Sequence, residues 1–248
     1  MPAPGFPAEP MAGLVDFRAF ESRSSASVAA AVLLASLIRS ELASNLYAQA
    51  SLVVSGGSTP GPCFDRLSGE ALDWSRVIVV PSDERWVPCD DPDSNEHLIR
   101  TRLLHRGSGE ARVLSFFREG IDAVQAPRLI ELDLRDVKRP FSASLLGMGE
   151  DGHFASLFPD FRDLKKALDP EGRAQCISVQ TSGSPHLRIS LTLSALLDSV
   201  HTVLLIFGQT KRRVFETASA GGSSYPIEAL LHHVRNPLTV IWAPSTNL

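Results

Sequence analysis

The chain has 248 residues, is 44% hydrophobic and 21% charged, and carries a formal net charge of -4, the balance of an ordinary globular protein able to bury one large core. That charge and a pI near 6.0 give no electrostatic footprint for nucleic acid, which calls for a clustered basic face, so an anionic ligand has to be held by a few placed cations. Cys63, Cys89 and Cys176 are widely spaced and form no C-x-x-C pair; they read as buried thiols of a reducing compartment, not as a disulfide framework or a zinc site.

The opening MPAPGFPAEPMAG lacks the basic start and apolar stretch of a secretory signal. Its prolines predict a flexible N-terminal arm over residues 1–13, ahead of a single α/β domain over residues 14–248. From Ser27 to Ile38 the chain is rich in Ala, Leu and Val, and Arg39 and Glu41 close the run. It falls short of the roughly 20 residues of a membrane span and reads as a buried helix. Ser51 to Ser55 is an apolar run of strand length, stopped by Gly56, Gly57, Ser58, Thr59 and Pro60. Two glycines and two hydroxyls between a strand and a Pro-started helix have the composition of an anion cradle, because helix N-termini offer free N–H groups. The same residues suit a plain turn with Ser58 or Thr59 as N-cap, and the two uses are compatible. The lysine and spacing of a Walker loop are missing.

Val77 to Val80 is the next strand and runs directly into Asp83, Glu84 and Arg85, which places three charges at the carboxyl edge of the same sheet. Ser94 is set to cap a helix reaching about Arg106. A short strand, Val113 to Phe116, and a helical stretch interrupted by Pro127 follow, with no residues that suggest chemistry.

A strand from Phe141 to Leu146 breaks at Gly147 and Gly149 and leads to Asp151, Gly152 and His153. Open parallel sheets bind ligands at such strand ends. An imidazole titrates near neutral pH and can take a proton from water, so His153 is the first catalytic candidate; the alternative is a ring that caps a backbone carbonyl. Beyond it, Phe161 to Leu168 reads as a short helix and Cys176 to Val179 as a strand. The alternation from Pro185 to Leu193 predicts a further strand, with Arg188 at its start. Val203 to Phe207 is the strongest buried-strand signal, and Gly208 to Lys211 opens the helix after it. A cation is disfavoured at the positive end of a helix dipole, so Lys211 points to a phosphate ligand. A helix from Pro226 to His233 and a strand from Leu238 to Trp242 close the chain.

Four motifs, VVSGGSTP at 53–60, DERWVP with DSN at 83–95, GMGEDGHFASLFP at 147–159, and RISLTL followed by GQTK at 188–211, together resemble the 6-phosphogluconolactonase family. The resemblance runs from about Ser51 to Ala220. It implies a single-domain Rossmann-like fold, a mostly parallel sheet with helices on both faces, shared with glucosamine-6-phosphate deaminases. It also implies hydrolysis of 6-phosphoglucono-δ-lactone, the small-molecule partner, in the oxidative pentose phosphate pathway. A cytoplasmic location and a monomer or small homo-oligomer are expected alongside it, with no nucleic-acid or membrane partner. By that likeness His153 would be the general base, with Asp151 and Arg85 as the other catalytic candidates. Gly57, Ser58, Thr59, Arg188 and Lys211 would hold the phosphate, Asp83, Glu84, Arg85 and Asn95 would line the sugar-ring side, and Gly56 and Gly149 would complete the substrate contacts. The oxyanion donors would be N–H groups of the glycine-rich turn or Arg85. No cofactor or metal is expected, since the chain has no H-E-x-x-H or other metal signature.

The sister deaminases place a Glu directly before the proline of the histidine turn, where this chain has Phe158. A phenyl ring exchanges no protons, which favours the lactonase. The chain departs from the usual lactonase pattern at Phe154, where a threonine is common, and in its ending from Ala243 to Leu248, which is neither acidic nor alanine-rich.

Overall fold

Apolar runs of strand length pair side by side in the computed structural model, which describes residues 13–245. In chain order the strands are β1 (Val15–Ala19), β2 (Ala50–Val54), β3 (Val77–Pro81), β4 (Asp83–Arg85), β5 (Arg112–Val113), β6 (Ala143–Leu146), β7 (Cys176–Val179), β8 (Arg188–Leu191), β9 (Thr202–Phe207) and β10 (Leu238–Ala243). Seven of them form one sheet in the order β1-β10-β9-β6-β2-β3-β5, with parallel pairing throughout. The helices are α1 (Arg23–Leu42), α2 (Gly61–Leu67), α3 (Asn95–Leu98), α4 (Ala126–Asp133), α5 (Leu164–Ala167), α6 (Leu193–Leu197), α7 (Gln209–Ala220) and α8 (Pro226–His233).

Successive strand residues point to opposite faces, and the core divides accordingly. Leu52, Val54, Val79, Val203 and Leu205 pack with α1 and α2 on one face. Val53, Val80, Leu204, Ile206 and Val240 pack with α4, α7 and α8 on the other. Helices therefore cover both faces of a mostly parallel sheet, as expected.

The second face also carries a small antiparallel sheet of order β4-β8-β7, whose strands carry no local pattern that sets them apart from those of the first. Asp83, Glu84 and Arg85 form a strand of their own, paired with Ser190, Ile189 and Arg188; they do not form a loop at the carboxyl edge. The alternation after Pro185 holds only to Leu191, after which Thr192 accepts from Ala195 N–H and caps α6. Strand β1 was not foreseen: its burial is partial, because it lies at the sheet edge.

Other boundaries moved for local reasons. Pro127 stands in the first turn of α4 and starts that helix instead of interrupting it, since a missing N–H costs nothing there. Ser94 caps α3 by accepting from His97 N–H, as expected, but the helical stretch ends in a π-type turn at Leu103. Helix α1 is 20 residues long and extends the predicted run at both ends; at its start the N-cap Ser22 and Ser25, the third helical residue, form a capping box. By length and composition α1 could cross a membrane, yet it buries Ala30, Leu34 and Ile38 against the sheet. Cys63 and Cys176 are buried as expected, whereas Cys89 is exposed. The predicted arm lies outside the described residues except for Gly13.

Candidate active site

The chain builds outward from β2 through β3 to β5, then returns to β6 and grows the other way through β9 and β10. The reversal falls between β2 and β6, and open α/β sheets bind ligands outside the carboxyl ends of the strands at such a switch point. A cavity of about 240 Å³ opens there. The turn after β2 supplies Gly56, Gly57, Ser58 and Thr59, the turn after β6 supplies Gly149 and His153, and the start of α7 supplies Lys211. Asp83 and Arg85 of β4, Asn95 of α3 and Arg188 of β8 also line the cavity. Glu84 and Asp151 do not line it.

In the turn after β6, Gly149 N–H donates to His153 C=O at 2.8 Å and Gly152 N–H to Gly149 C=O at 3.2 Å. Gly152 adopts φ +77, and a Cβ there would meet Tyr225 at 2.6 Å. Both facts require glycine. A side chain on Gly149 would collide with the His153 ring and the Asp151 carboxylate. The fold so produced brings Asp151 Oδ1 to 2.6 Å from His153 Nδ1. Asp151 is thus the partner of the imidazole, a pairing that their nearness in sequence left open. The alternative of a ring capping a backbone carbonyl is not what the turn contains. Nδ1 is engaged by the carboxylate, which leaves Nε2 as the nitrogen available to a water molecule. Phe158 packs against the same ring, with centroids 4.3 Å apart and an interplanar angle of 39°. Phe154 is fully buried in the core, so its bulk is absorbed away from the cavity. Ala155, a lining residue, takes φ 47, an uncommon conformation for a residue with a Cβ.

The turn after β2 leaves its backbone donors free among the described residues. Gly57 has φ +81 with open space beside it, and Pro60 precedes α2 without a side-chain cap. Ser58 and Thr59 therefore do not serve as N-caps, and among the described residues no hydrogen bond takes up the N–H groups of Gly56, Gly57, Ser58 or Thr59. Lys211 and Arg188 are both half-buried. Burial pushes the Lys211 ammonium below its usual range; the carboxylates of Glu150 and Asp151 oppose that shift and the Arg23 charge adds to it. Burial likewise lowers Arg188, opposed chiefly by Asp83. Arg188 Nη1 stands 3.8 Å from Asp83 Oδ2, and its guanidinium carbon is 5.3 Å from the Phe158 centroid.

Asp83 is held by Ser82 Oγ at 2.9 Å and Ser156 Oγ at 2.6 Å. Asn95 donates its amide to Asp83 C=O at 2.8 Å, and Gly56 is small because a Cβ there would strike that amide. Glu84 is a correction to the expected substrate contacts. Its carboxylate turns away from the cavity and accepts N–H groups of Arg85, Asn95 and Glu96, each at 2.7 Å, and the Ser94 hydroxyl at 3.0 Å. Burial pushes this carboxyl up to about 6 against those four donors. Glu84 therefore braces the start of α3 and fixes Asn95 and Arg85. Arg85 donates from Nη1 to Asp93 C=O, while its buried Nε has no partner. Ser55, Gly147, Met148 and Ala155 also line the cavity, outside the expected set; their place beside strand ends is the one signal the sequence offers.

The family model for glucosamine-6-phosphate isomerases/6-phosphogluconolactonase matches residues 21–242. The chain is 38% identical over 209 residues to a 6-phosphogluconolactonase of Pseudomonas aeruginosa, covering 84% of this chain and 86% of that protein. It is 36% identical over 229 residues to one of Mesorhizobium japonicum, covering 92% and 95%. The crystal structure of a 6-phosphogluconolactonase from Shewanella baltica superposes with a TM-score of 0.87 at 34% identity, over 92% of this chain and 97% of that one. A monomeric glucosamine-6-phosphate deaminase shares the fold, with a TM-score of 0.74 at 18% identity over 93% and 97% of the two chains. With these matches spanning nearly all of both sheets and every turn that lines the cavity, the chain belongs to the glucosamine-6-phosphate isomerase/6-phosphogluconolactonase family.

Proposed function

We propose that this protein hydrolyses 6-phosphogluconolactone to 6-phosphogluconate in the cytoplasm, with His153 as general base. The observation that carries this reading is one cavity that holds an Asp151-braced imidazole together with Lys211, Arg188 and the Gly56–Thr59 turn. A δ-lactone is an activated ester, so the protein has to supply position and proton transfer.

The phosphoryl group rests on the free N–H groups and hydroxyls of the turn, faced by Lys211 and Arg188, and this remote binding orients the ring. His153 Nε2 takes a proton from water as the water oxygen bonds to the lactone carbonyl carbon, a contribution typically of about 10²- to 10⁴-fold. Asp151, fixed on Nδ1, steadies the imidazolium that results. The oxyanion needs a donor. Gly149 and Gly152 N–H groups are already engaged within their own turn, and Arg85, which lines the cavity, is the side-chain candidate. Collapse of the tetrahedral intermediate breaks the bond to the ring oxygen, which receives the proton from Nε2.

A deaminase-like isomerase needs a second proton-exchanging group at the position of Phe158 and lacks one. Turnover of freshly generated 6-phosphogluconolactone, corrected for its spontaneous hydrolysis, tests the proposal directly. An enzyme that accelerates glucosamine-6-phosphate deamination and leaves the lactone untouched would overturn it.

A further inference from the structure

Arg23 occupies the first position of α1, behind the N-cap Ser22, and the first turn of α1 has no acidic residue. A cation there stands against the helix dipole, the same misfit that Lys211 presents on α7. The guanidinium lies over the Phe207 ring, 4.7 Å from its centroid. Its Nε is buried without a hydrogen-bond partner, and no ion pair joins it to a carboxylate among the described residues.

Arg23 and Phe207 line a second cavity, of about 260 Å³, together with Ser58 and Thr59. Those two hydroxyl residues also line the cavity of His153 and Lys211. The starts of α1, α2 and α7 therefore meet around one turn, with an unpaired cation on either side of it.

The charge balance shows what is missing. A phosphate monoester carries about -1.5 to -2 at neutral pH. Arg188 is partly offset by Asp83 at 3.8 Å, and Lys211 faces the charges of Glu150 and Asp151. The cations already assigned to the cradle thus fall short of a dianion, and Arg23, without a carboxylate of its own, restores the balance.

We propose that Arg23 is a third cation of the phosphate cradle, binding the phosphoryl group from the α1 side of the Ser58–Thr59 turn. The proposal rests on the sugar-phosphate reading given above. An anion between Arg23 and Lys211 would separate two like charges that now repel across the turn and would give the buried Nε an acceptor. The competing role for Arg23 is packing on Phe207 alone, as a cation over an aromatic face.

Calorimetric titration with inorganic phosphate separates the two roles in the full-length protein and its Arg23→Ala and Arg23→Gln variants. Loss of a charge-assisted contact predicts phosphate binding weakened by about tenfold or more in both variants. The preference for 6-phosphogluconolactone over unphosphorylated gluconolactone, as a ratio of kcat/KM values, should fall by a similar factor. Unchanged phosphate affinity and an unchanged ratio, with only a lower melting temperature, would mean that Arg23 merely packs and would overturn the proposal. A parent protein that binds no phosphate would overturn the whole cradle, Arg23 included. If the parent binds phosphate but lacks lactonase turnover, the function assigned above fails, and the phosphate titration still decides the role of Arg23.

Discussion

Asp151 Oδ1 lies 2.6 Å from His153 Nδ1, a contact made within three residues of chain because Gly152 turns through φ +77 between them. A carboxylate in that place fixes the ring tautomer and presents Nε2 to the cavity. His153→Ala should lower kcat by about 100-fold or more with little change in KM, in line with loss of a general base. Asp151→Asn should lower kcat by about 10- to 100-fold, less than a buried triad carboxylate would, because Asp151 is exposed. Steady-state kinetics on the lactone check both; near-normal turnover of His153→Ala would remove the imidazole from the mechanism.

Lys211 faces the hydroxyl turn with no ion pair among the described residues. Lys211→Ala should weaken 6-phosphogluconate binding by about tenfold or more, the scale of one charge-assisted contact. Titration calorimetry against the parent reads this. Equal affinity in the two proteins would take Lys211 out of the cradle.

One phenyl ring touches both halves of the site: Phe158 packs on His153 and lies under Arg188. Phe158→Leu keeps the apolar character but removes the flat face, so both the imidazole and the guanidinium lose their support. We expect kcat/KM to fall by about tenfold, from two contacts each worth roughly 0.5–1 kcal/mol. A variant with parental kcat/KM would show that the ring only fills space.

Glu84 links pH to stability. Its carboxyl titrates at about 6 in the fold against an ordinary 4.5, because burial outweighs its hydrogen bonds. The folded state therefore holds the proton more tightly than the unfolded chain. The stability this gives is complete below about pH 4.5 and is lost as the pH rises through about 6, a change on the order of 2 kcal/mol. Urea denaturation of the parent and of Glu84→Gln at pH 4.5 and pH 7 measures it. The variant should show a smaller loss over that interval, and equal losses would contradict the assignment.

Much of the candidate cavity's lining was legible in the sequence because its residue types contradict their local setting. Lys211 stands at the wrong end of a helix dipole, and glycines crowd the ends of apolar strands where only a turn or a ligand needs them. The strands themselves were readable from Val, Ile and Leu runs buried on both faces, as in β2, β3 and β9. Glu84 was misplaced because three adjacent charges look alike in sequence; a strand sends neighbouring side chains to opposite sides, so Asp83 and Arg85 reach the cavity while Glu84 turns to the α3 start. The edge strand β1 gave no signal because half-burial leaves no continuous apolar run.

What the sequence determined by itself is local: which segments bury both faces, where they stop, and which turns carry hydroxyls, glycines and a titratable ring. These follow from side-chain period and backbone freedom within a few residues. The tertiary structure alone decided that the turns after β2 and β6 are neighbours, that a second antiparallel sheet delivers Arg188, and that Arg23 stands across the hydroxyl turn from Lys211. Those facts depend on strand order and on how helices from distant parts of the chain pack around the sheet, and no local pattern encodes them.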